Sequence, residues 1–476
     1  MKDGHIWING LWEQTKDTMD LVAPYSGEVI GQVAIATKED VKRAIEGAET
    51  AFQKFKKWTA YERAELLYKV VEILRERKEE LALILAEEAG KPLKAARAEY
   101  DRTIATYQFS AEEAKQLRGE TIPIDAAPGV GGRIGWTKRE ALGVVTAISP
   151  FNFPANLIAH KLGPAFAVGN TVVLKPSSST PKSALALAEI FKEAGLPDGA
   201  LQIVTGSGKE LSKTLTTHSL VKKVTFTGSV PVGLAIKEQV GLRKITLELG
   251  SNSALIVEPG VPLEQIMKRC VDGAFGFAGQ VCISLQRVYV HESIYNEFVR
   301  LFTEETKKLV IGDPLDEQTD VSAMINPEEV DRVREWIQEA TSQGATIVVG
   351  GEFTERTLTP TVLTNVKQDM NIMCKEVFAP IVSIVPYNNL KEAITLVNDS
   401  EFGLNAGIYT TNIIDAMYAA DEIQAGAVMI NDIPTFRVDN MPYGGVKMSG
   451  YGREGVKYAI EEMTELKLIT MKTSFI

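Results

Sequence analysis

Cys282 stands in Phe277-Ala278-Gly279-Gln280-Val281-Cys282-Ile283-Ser284, a small and polar turn that would leave a thiol accessible. It follows Glu248, in Leu247-Glu248-Leu249-Gly250, by thirty-four residues. A thiolate adds readily to an electrophilic carbon, and a carboxylate desolvated among leucines is a general base near neutral pH. The pair therefore offers a nucleophile and a candidate base. The other two cysteines, Cys270 and Cys374, read as ordinary packing residues. None of the three has the CxxC or Cys/His spacing of a zinc site, so neither a metal nor a disulfide framework is expected.

Composition excludes several other roles. The net charge of -11 comes from 62 acidic against 51 basic residues, with no basic stripe interleaved with aromatics, so nucleic acid is not an expected partner. The weakly charged run 141–159 is long enough to cross a bilayer but contains Pro150, Asn152, Pro154 and Asn156, which marks it as buried framework and not as a membrane span. The opening stretch 1–9 has no basic region followed by an apolar core. With so few cysteines, that gives an expectation of a reducing cytoplasm.

The elements that must position Cys282 and Glu248 follow from periodicity. The first hundred or so residues read as helices. Thr37-Lys38-Glu39-Asp40 resembles a capping box, and one long helical pattern from about 63 to 88 ends at Gly90. Between about 119 and 145 the pattern turns β-rich and is broken by Pro128 and a glycine cluster, as for a hairpin leaving the main body. Strand and helix then alternate from Val144 to Leu247 and again from about Ala254 past Val428, and the chain finishes in a β-like segment from Glu465. Repeated β-α units of this length predict an α/β fold with mainly parallel sheets.

Seven short strings carry a family resemblance. They are Pro150-Phe151-Asn152-Phe153-Pro154, Lys175-Pro176-Ser177, Phe226-Thr227-Gly228-Ser229, Leu247-Glu248-Leu249-Gly250, Gly279-Gln280-Val281-Cys282, Glu376-Val377-Phe378-Ala379-Pro380 and Pro442-Tyr443-Gly444-Gly445. In this order the chain resembles the NAD(P)-dependent aldehyde dehydrogenase superfamily along nearly its whole length. The resemblance implies a Rossmann-type cofactor domain from 1–121 and 142–250, a catalytic domain from 251–445, and a small β-element from 122–141 with 464–476 that pairs with another subunit of a dimer or tetramer. Residues 446–463 would return to the cofactor domain.

The resemblance also assigns roles. Cys282 matches the nucleophile, Asn152 the side chain that binds the oxyanion, and Glu248 the base that activates water. Because relatives that release an acyl-CoA lack this glutamate, Glu248 favours a free acid product over a CoA-acylating reaction. A non-enzymatic structural relative would not need the trio. Lys175 matches a contact to the adenosine ribose, Gly228 and Ser229 open a helix facing the pyrophosphate, and Glu376 and Phe378 match residues at the nicotinamide ribose and ring. Phe151 stands beside them where most members carry Trp.

Ser178 departs from a common pattern in which a glutamate follows Lys-Pro-x. A carboxylate would repel a 2′-phosphate where a hydroxyl can donate to it, so NADP or dual use is expected over strict NAD use. The run from Phe151 to Lys161 resembles the clade of lactaldehyde, phosphonoacetaldehyde and non-phosphorylating glyceraldehyde-3-phosphate dehydrogenases. His160 replaces the arginine of succinate-semialdehyde enzymes, and Val281 replaces the arginine of the glyceraldehyde-3-phosphate enzymes. A small aldehyde is the expected substrate, lactaldehyde-like or with an anionic tail, with Asn156, His160 and Arg437 as candidate contacts. Arg287 is read as structural.

Overall fold

A computed structural model describes residues 2–473. Among them the strands form an eight-stranded sheet, a seven-stranded sheet, a three-stranded sheet and two smaller pairs. In the first sheet five strands run parallel side by side: Leu201–Ile203, Thr171–Lys175, Val144–Ile148, Val221–Thr227 and Lys244–Glu248. Strands Thr171–Lys175 and Val144–Ile148 are buried at every position, as apolar runs covered by helices on both faces should be. The second sheet orders Thr346–Val349, Thr361–Thr364, Ile381–Tyr387, Arg287–His291, Ala254–Val257, Asn405–Tyr409 and Ala427–Ile430, parallel except at the first pair.

The expected α/β alternation holds, with two corrections near the start. Residues 5–35 form four strands, His5–Ile8, Leu11–Gln14, Asp17–Val22 and Val29–Ile35, where helices were expected. The signal was present in Asn9-Gly10, whose φ values of 52° and 79° make the two-residue turn that an Asn-Gly pair favours between antiparallel strands. The pattern from 63 to 88 is two helices, Ala60–Glu76 and Lys78–Ala89, broken at Arg77, whose ψ of 8° leaves the helical region. The capping box at Thr37 forms with both of its hydrogen bonds, and Gly90 closes its helix with φ 63°.

The hairpin expected between 119 and 145 is present as Thr121–Ile122 against Arg133–Ala141, and Thr464–Lys472 joins it antiparallel along its full length. The last three residues of that expected element, 474–476, lie outside the described residues. Before it, Gly450–Tyr451 pairs with Lys244–Glu248, and Val456–Glu462 packs its Val456 and Ile460 into the core beneath the first sheet.

Candidate active site

The turn that carries Cys282 begins where the Leu263–Phe275 helix stops. Phe277, Ala278 and Gly279 follow with φ of 50°, 52° and 66°, three successive left-handed residues. A side chain at Gly279 would land on the carbonyl oxygen of Ala379, so only glycine lets this turn lie against the Glu376-to-Pro380 loop. Cys282 emerges half-buried on the far side, its Sγ 2.9 Å from the hydroxyl of Tyr443. Burial pushes the thiol up to about 11, the Tyr443 hydrogen bond and the Arg437 cation pull it down, and the Glu376 and Glu248 carboxylates add to the rise.

Asn152 sits in the loop after the Val144–Ile148 strand. Its Nδ2 donates to the carbonyl of Gln280 at 3.0 Å, which ties its loop to the Cys282 turn, and its Oδ1 has no hydrogen-bond partner. Glu248 ends the Lys244–Glu248 strand, two strands along the same sheet, 3% exposed, with neither carboxylate oxygen hydrogen-bonded. Burial first, and the nearby Glu454 carboxylate second, hold its pKa well above the ordinary range. Glu454 itself pairs with Lys161 at 3.1 Å and is held at about 2 despite its burial by Lys161, His160 and Arg437. The two acids are thus pushed apart, Glu248 upward and Glu454 downward.

The residues expected at a dinucleotide fall into two groups. Lys175 ends its strand, nearly buried, and burial lowers its pKa to about 8. Ser178 donates to the carbonyl of Gly206 at 3.1 Å, and the Gly208–Thr217 helix starts beside Lys175, with Gly208 3.8 Å from Lys175 Cε when given a Cβ. Gly228 donates to the carbonyl of Glu248 at 3.0 Å, and Ser229 caps the Val230–Gln239 helix without any side-chain hydrogen bond, leaving its first N–H groups available to a phosphate. Across the site, Glu376 accepts from Ser251 N at 2.9 Å, and a side chain at Gly250 would come 2.6 Å from the Glu376 carboxylate. Phe378, at φ 51°, meets Phe151 edge-on at 5.9 Å. These groups fit an extended nucleotide running from Lys175 toward Cys282.

A cavity of about 260 Å³ opens onto Cys282, walled by Phe153, Tyr443 and Phe277 among others and carrying the charged groups of Lys91, Glu99, Arg102, Asp272 and Arg437. Arg437 stacks 3.6 Å from the centre of the Tyr443 ring, reaches Glu454 at 3.4 Å and leaves its Nε without a partner. Asn156 lines the cavity, but its amide is committed to Asp439 and Thr106. His160, expected at the substrate, lies instead behind the wall, 1% exposed and 2.8 Å from Asp439. Its imidazole is kept below its usual pKa, first by burial and then by Arg437. The sequence reading missed Arg102, which also binds Asp439, together with Glu454 and Lys161. Their contacts span the chain, Arg102 to Asp439 and Lys161 to Glu454. Arg287, as expected, is structural: it donates to the carbonyls of Asn252, Leu396 and Val397.

Comparison with known proteins settles the lineage. The model of the aldehyde dehydrogenase family matches residues 12–469. The chain belongs to that family. It is therefore an NAD(P)-dependent aldehyde dehydrogenase, oxidising small aldehydes to carboxylic acids. The dehydrogenase is 48% identical to a 3-sulfolactaldehyde dehydrogenase of Priestia aryabhattai over 99% of this chain and 98% of that protein. It is 40% identical to a lactaldehyde dehydrogenase of Methanococcus aeolicus over 98% and 100%. Among solved structures it matches aldehyde dehydrogenase 21 of Physcomitrella patens, in complex with the product succinate, with a TM-score of 0.97 and 40% identity over 99% and 98% of the two chains. It also matches the glyceraldehyde-3-phosphate dehydrogenase GapN of Methanocaldococcus jannaschii, complexed with NADP, with a TM-score of 0.92 and 40% identity over 95% and 99%.

Proposed function

We propose that this dehydrogenase oxidises a short aldehyde bearing an anionic tail, a sulfonate, carboxylate or phosphate, through a thioester on Cys282, and that it uses NADP or both cofactors. The observation that carries the substrate reading is the position of Arg437 and Arg102 on the wall of the cavity that opens onto Cys282, with Arg437 Nε free to donate. Relatives whose names specify sulfolactaldehyde, succinate and glyceraldehyde-3-phosphate all handle such tails, which supports it. The lactaldehyde dehydrogenase relatives favour a second reading, a neutral 2-hydroxyaldehyde.

The Cys282 thiolate adds to the carbonyl carbon, with Tyr443 holding the sulfur and Asn152 Nδ2 turning from Gln280 to the new oxyanion. Such a donor stabilises charge that exists only in the transition state, an effect of roughly 3 kcal/mol. Bound NAD(P)+ would supply the hydride acceptor that oxidation to the thioester requires. Lys175 and Ser178 would hold the adenosine ribose and its 2′-substituent, and the open Val230–Gln239 N-terminus the pyrophosphate. Glu248, buried and free of hydrogen bonds, would take a proton from the water that cleaves the thioester, releasing the acid and the thiol. The exposed three-stranded sheet would join subunits into a dimer or tetramer in the cytoplasm.

The test is a panel of C2 to C4 aldehydes with neutral, carboxylate, sulfonate and phosphate tails, each with NAD and NADP. Anionic tails should raise kcat/KM at least tenfold over neutral isosteres, and Arg437→Met should erase the difference, since a charge-assisted hydrogen bond is worth about 1.5–3 kcal/mol. A neutral aldehyde leading the panel would overturn the tail assignment.

A further inference from the structure

Lys91 is a buried lysine that no part of the reaction scheme above employs. It follows Gly90, whose left-handed cap fixes the backbone, with Lys91 N donating to Ala86 at 3.2 Å and Pro92 leading straight into the Leu93–Ala114 helix. Its side chain is 1% exposed and ion-paired with Glu99, which is equally buried. The remaining contacts of the ammonium are catalytic-loop contacts. It donates to the backbone carbonyl of Asn152 at 2.6 Å, and it lies 3.8 Å from the centre of the Phe153 ring and 4.4 Å from that of Phe277.

Glu99 completes the clamp. One carboxylate oxygen binds Lys91, while the other accepts from Ala155 N at 2.9 Å and Asn156 N at 3.1 Å. Those are the first N–H groups of the Asn156–Ala167 helix, whose own N-cap supplies no side-chain hydrogen bond. A carboxylate there satisfies orphan donors and complements the helix dipole. The loop 152–156 is thus gripped at both ends by one ion pair, and the same ammonium touches Phe277, the first left-handed residue of the turn that delivers Cys282.

We infer that the Lys91–Glu99 pair is a positioning device for the oxyanion site: it sets the distance between the Asn152 amide and the Cys282 turn by holding Asn152, Phe153 and Phe277 on one buried cation. The physical case rests on concentration of contacts. An ammonium between two aromatic faces and two oxygen acceptors is held by cation–π and charge-assisted contacts at once, so both loops share a common anchor. The inference rests on Asn152 serving the oxyanion, and the experiment separates the two.

Two reagents distinguish the role. p-Nitrophenyl acetate acylates Cys282 through a tetrahedral oxyanion, whereas iodoacetamide alkylates the same thiol without one. Lys91→Met should slow acylation roughly tenfold, part of the 10²–10³ that a whole oxyanion donor supplies, and leave alkylation within about twofold. In an Asn152→Ala background the same substitution should add less than about twofold, because coupled residues are not additive. Glu99→Gln carries the same expectation should Lys91→Met fail to fold. Equal slowing of both reagents, unchanged acylation, or a full tenfold loss retained in Asn152→Ala would each overturn the inference. Unslowed acylation in Asn152→Ala alone would instead remove the oxyanion role of Asn152, and the positioning role with it.

Discussion

At the scale of single residues, the thiol presents the sharpest problem. A Cys282 pushed up to about 11 is almost wholly protonated at neutral pH, and each pH unit below that value lowers the thiolate tenfold. The Tyr443 hydroxyl is the hydrogen bond that opposes this, and a hydrogen bond to a charged group is worth about 1.5–3 kcal/mol. Tyr443→Phe should move the alkylation profile about one unit to higher pH and slow alkylation at pH 8 roughly tenfold. An unchanged profile would show that the phenol only packs. Glu248→Gln should leave a single-turnover burst of reduced cofactor and slow steady turnover, as read by stopped-flow absorbance; equal loss of both would place Glu248 before the thioester. Steady turnover of the unaltered enzyme should climb with pH as the raised Glu248 ionises. Ser178→Glu, beside Gly206, should selectively raise KM for NADP over NAD by at least tenfold, since a carboxylate opposite a phosphate dianion is repelled.

At the scale of elements, the nucleophile turn is defined by glycine. With φ 66° and no room for a Cβ beside Ala379, Gly279→Ala must move either the Cys282 turn or the Glu376 loop. The expected result is a loss of a few kcal/mol of stability, or a drop of several degrees in Tm, together with weakened cofactor binding or slowed thiol alkylation according to which of the two segments gives way. Retention of both would mean the backbone relaxes elsewhere. Much of this layer was legible beforehand. The capping box at Thr37, the glycine cap at Gly90 and the β-α alternation are local signals, and they formed as read. Asn152, Glu248 and Cys282 could be singled out because each lies in a short contiguous string, and the fold brings the Asn152 amide onto the Gln280 carbonyl, two residues from Cys282. Arg102, Lys91, Glu99 and Glu454 were not, because what makes them matter is a tertiary contact: Arg102 meets Asp439 across 337 residues and Lys161 meets Glu454 across 293. His160 misled for the same reason. Its place in the string suggested the substrate, whereas helical geometry turns it behind the wall toward Asp439.

At the scale of the whole molecule, the three-stranded sheet is largely exposed, with Gly135 and Thr137 of its middle strand buried. Leu466 and Leu468 are more than half exposed on the Thr464–Lys472 strand, and Ile134 and Trp136 on its neighbour add apolar surface. The second sheet offers an open edge at Ala427–Ile430, beside the exposed Ile413 and Ile414 of the Ile413–Glu422 helix. An unpaired strand and an uncovered apolar patch are what two copies of a chain cover by adding strand to edge. Leu468→Glu should shift the mass measured by light scattering toward a smaller species, and an unaltered mass would place the subunit contact elsewhere.

The threading of residues 437–454 through the site has a consequence for how the enzyme comes into being. A growing polypeptide that has reached residue 436 already holds Cys282, Glu248 and Asn152, yet it lacks the phenol on the sulfur, the guanidinium on the cavity wall and the Glu454 carboxylate beside the buried acid. It also lacks the Gly450–Tyr451 strand that seals the edge next to Glu248. The full set of groups around the sulfur and the buried acid therefore exists only once residues 437–454 have been made.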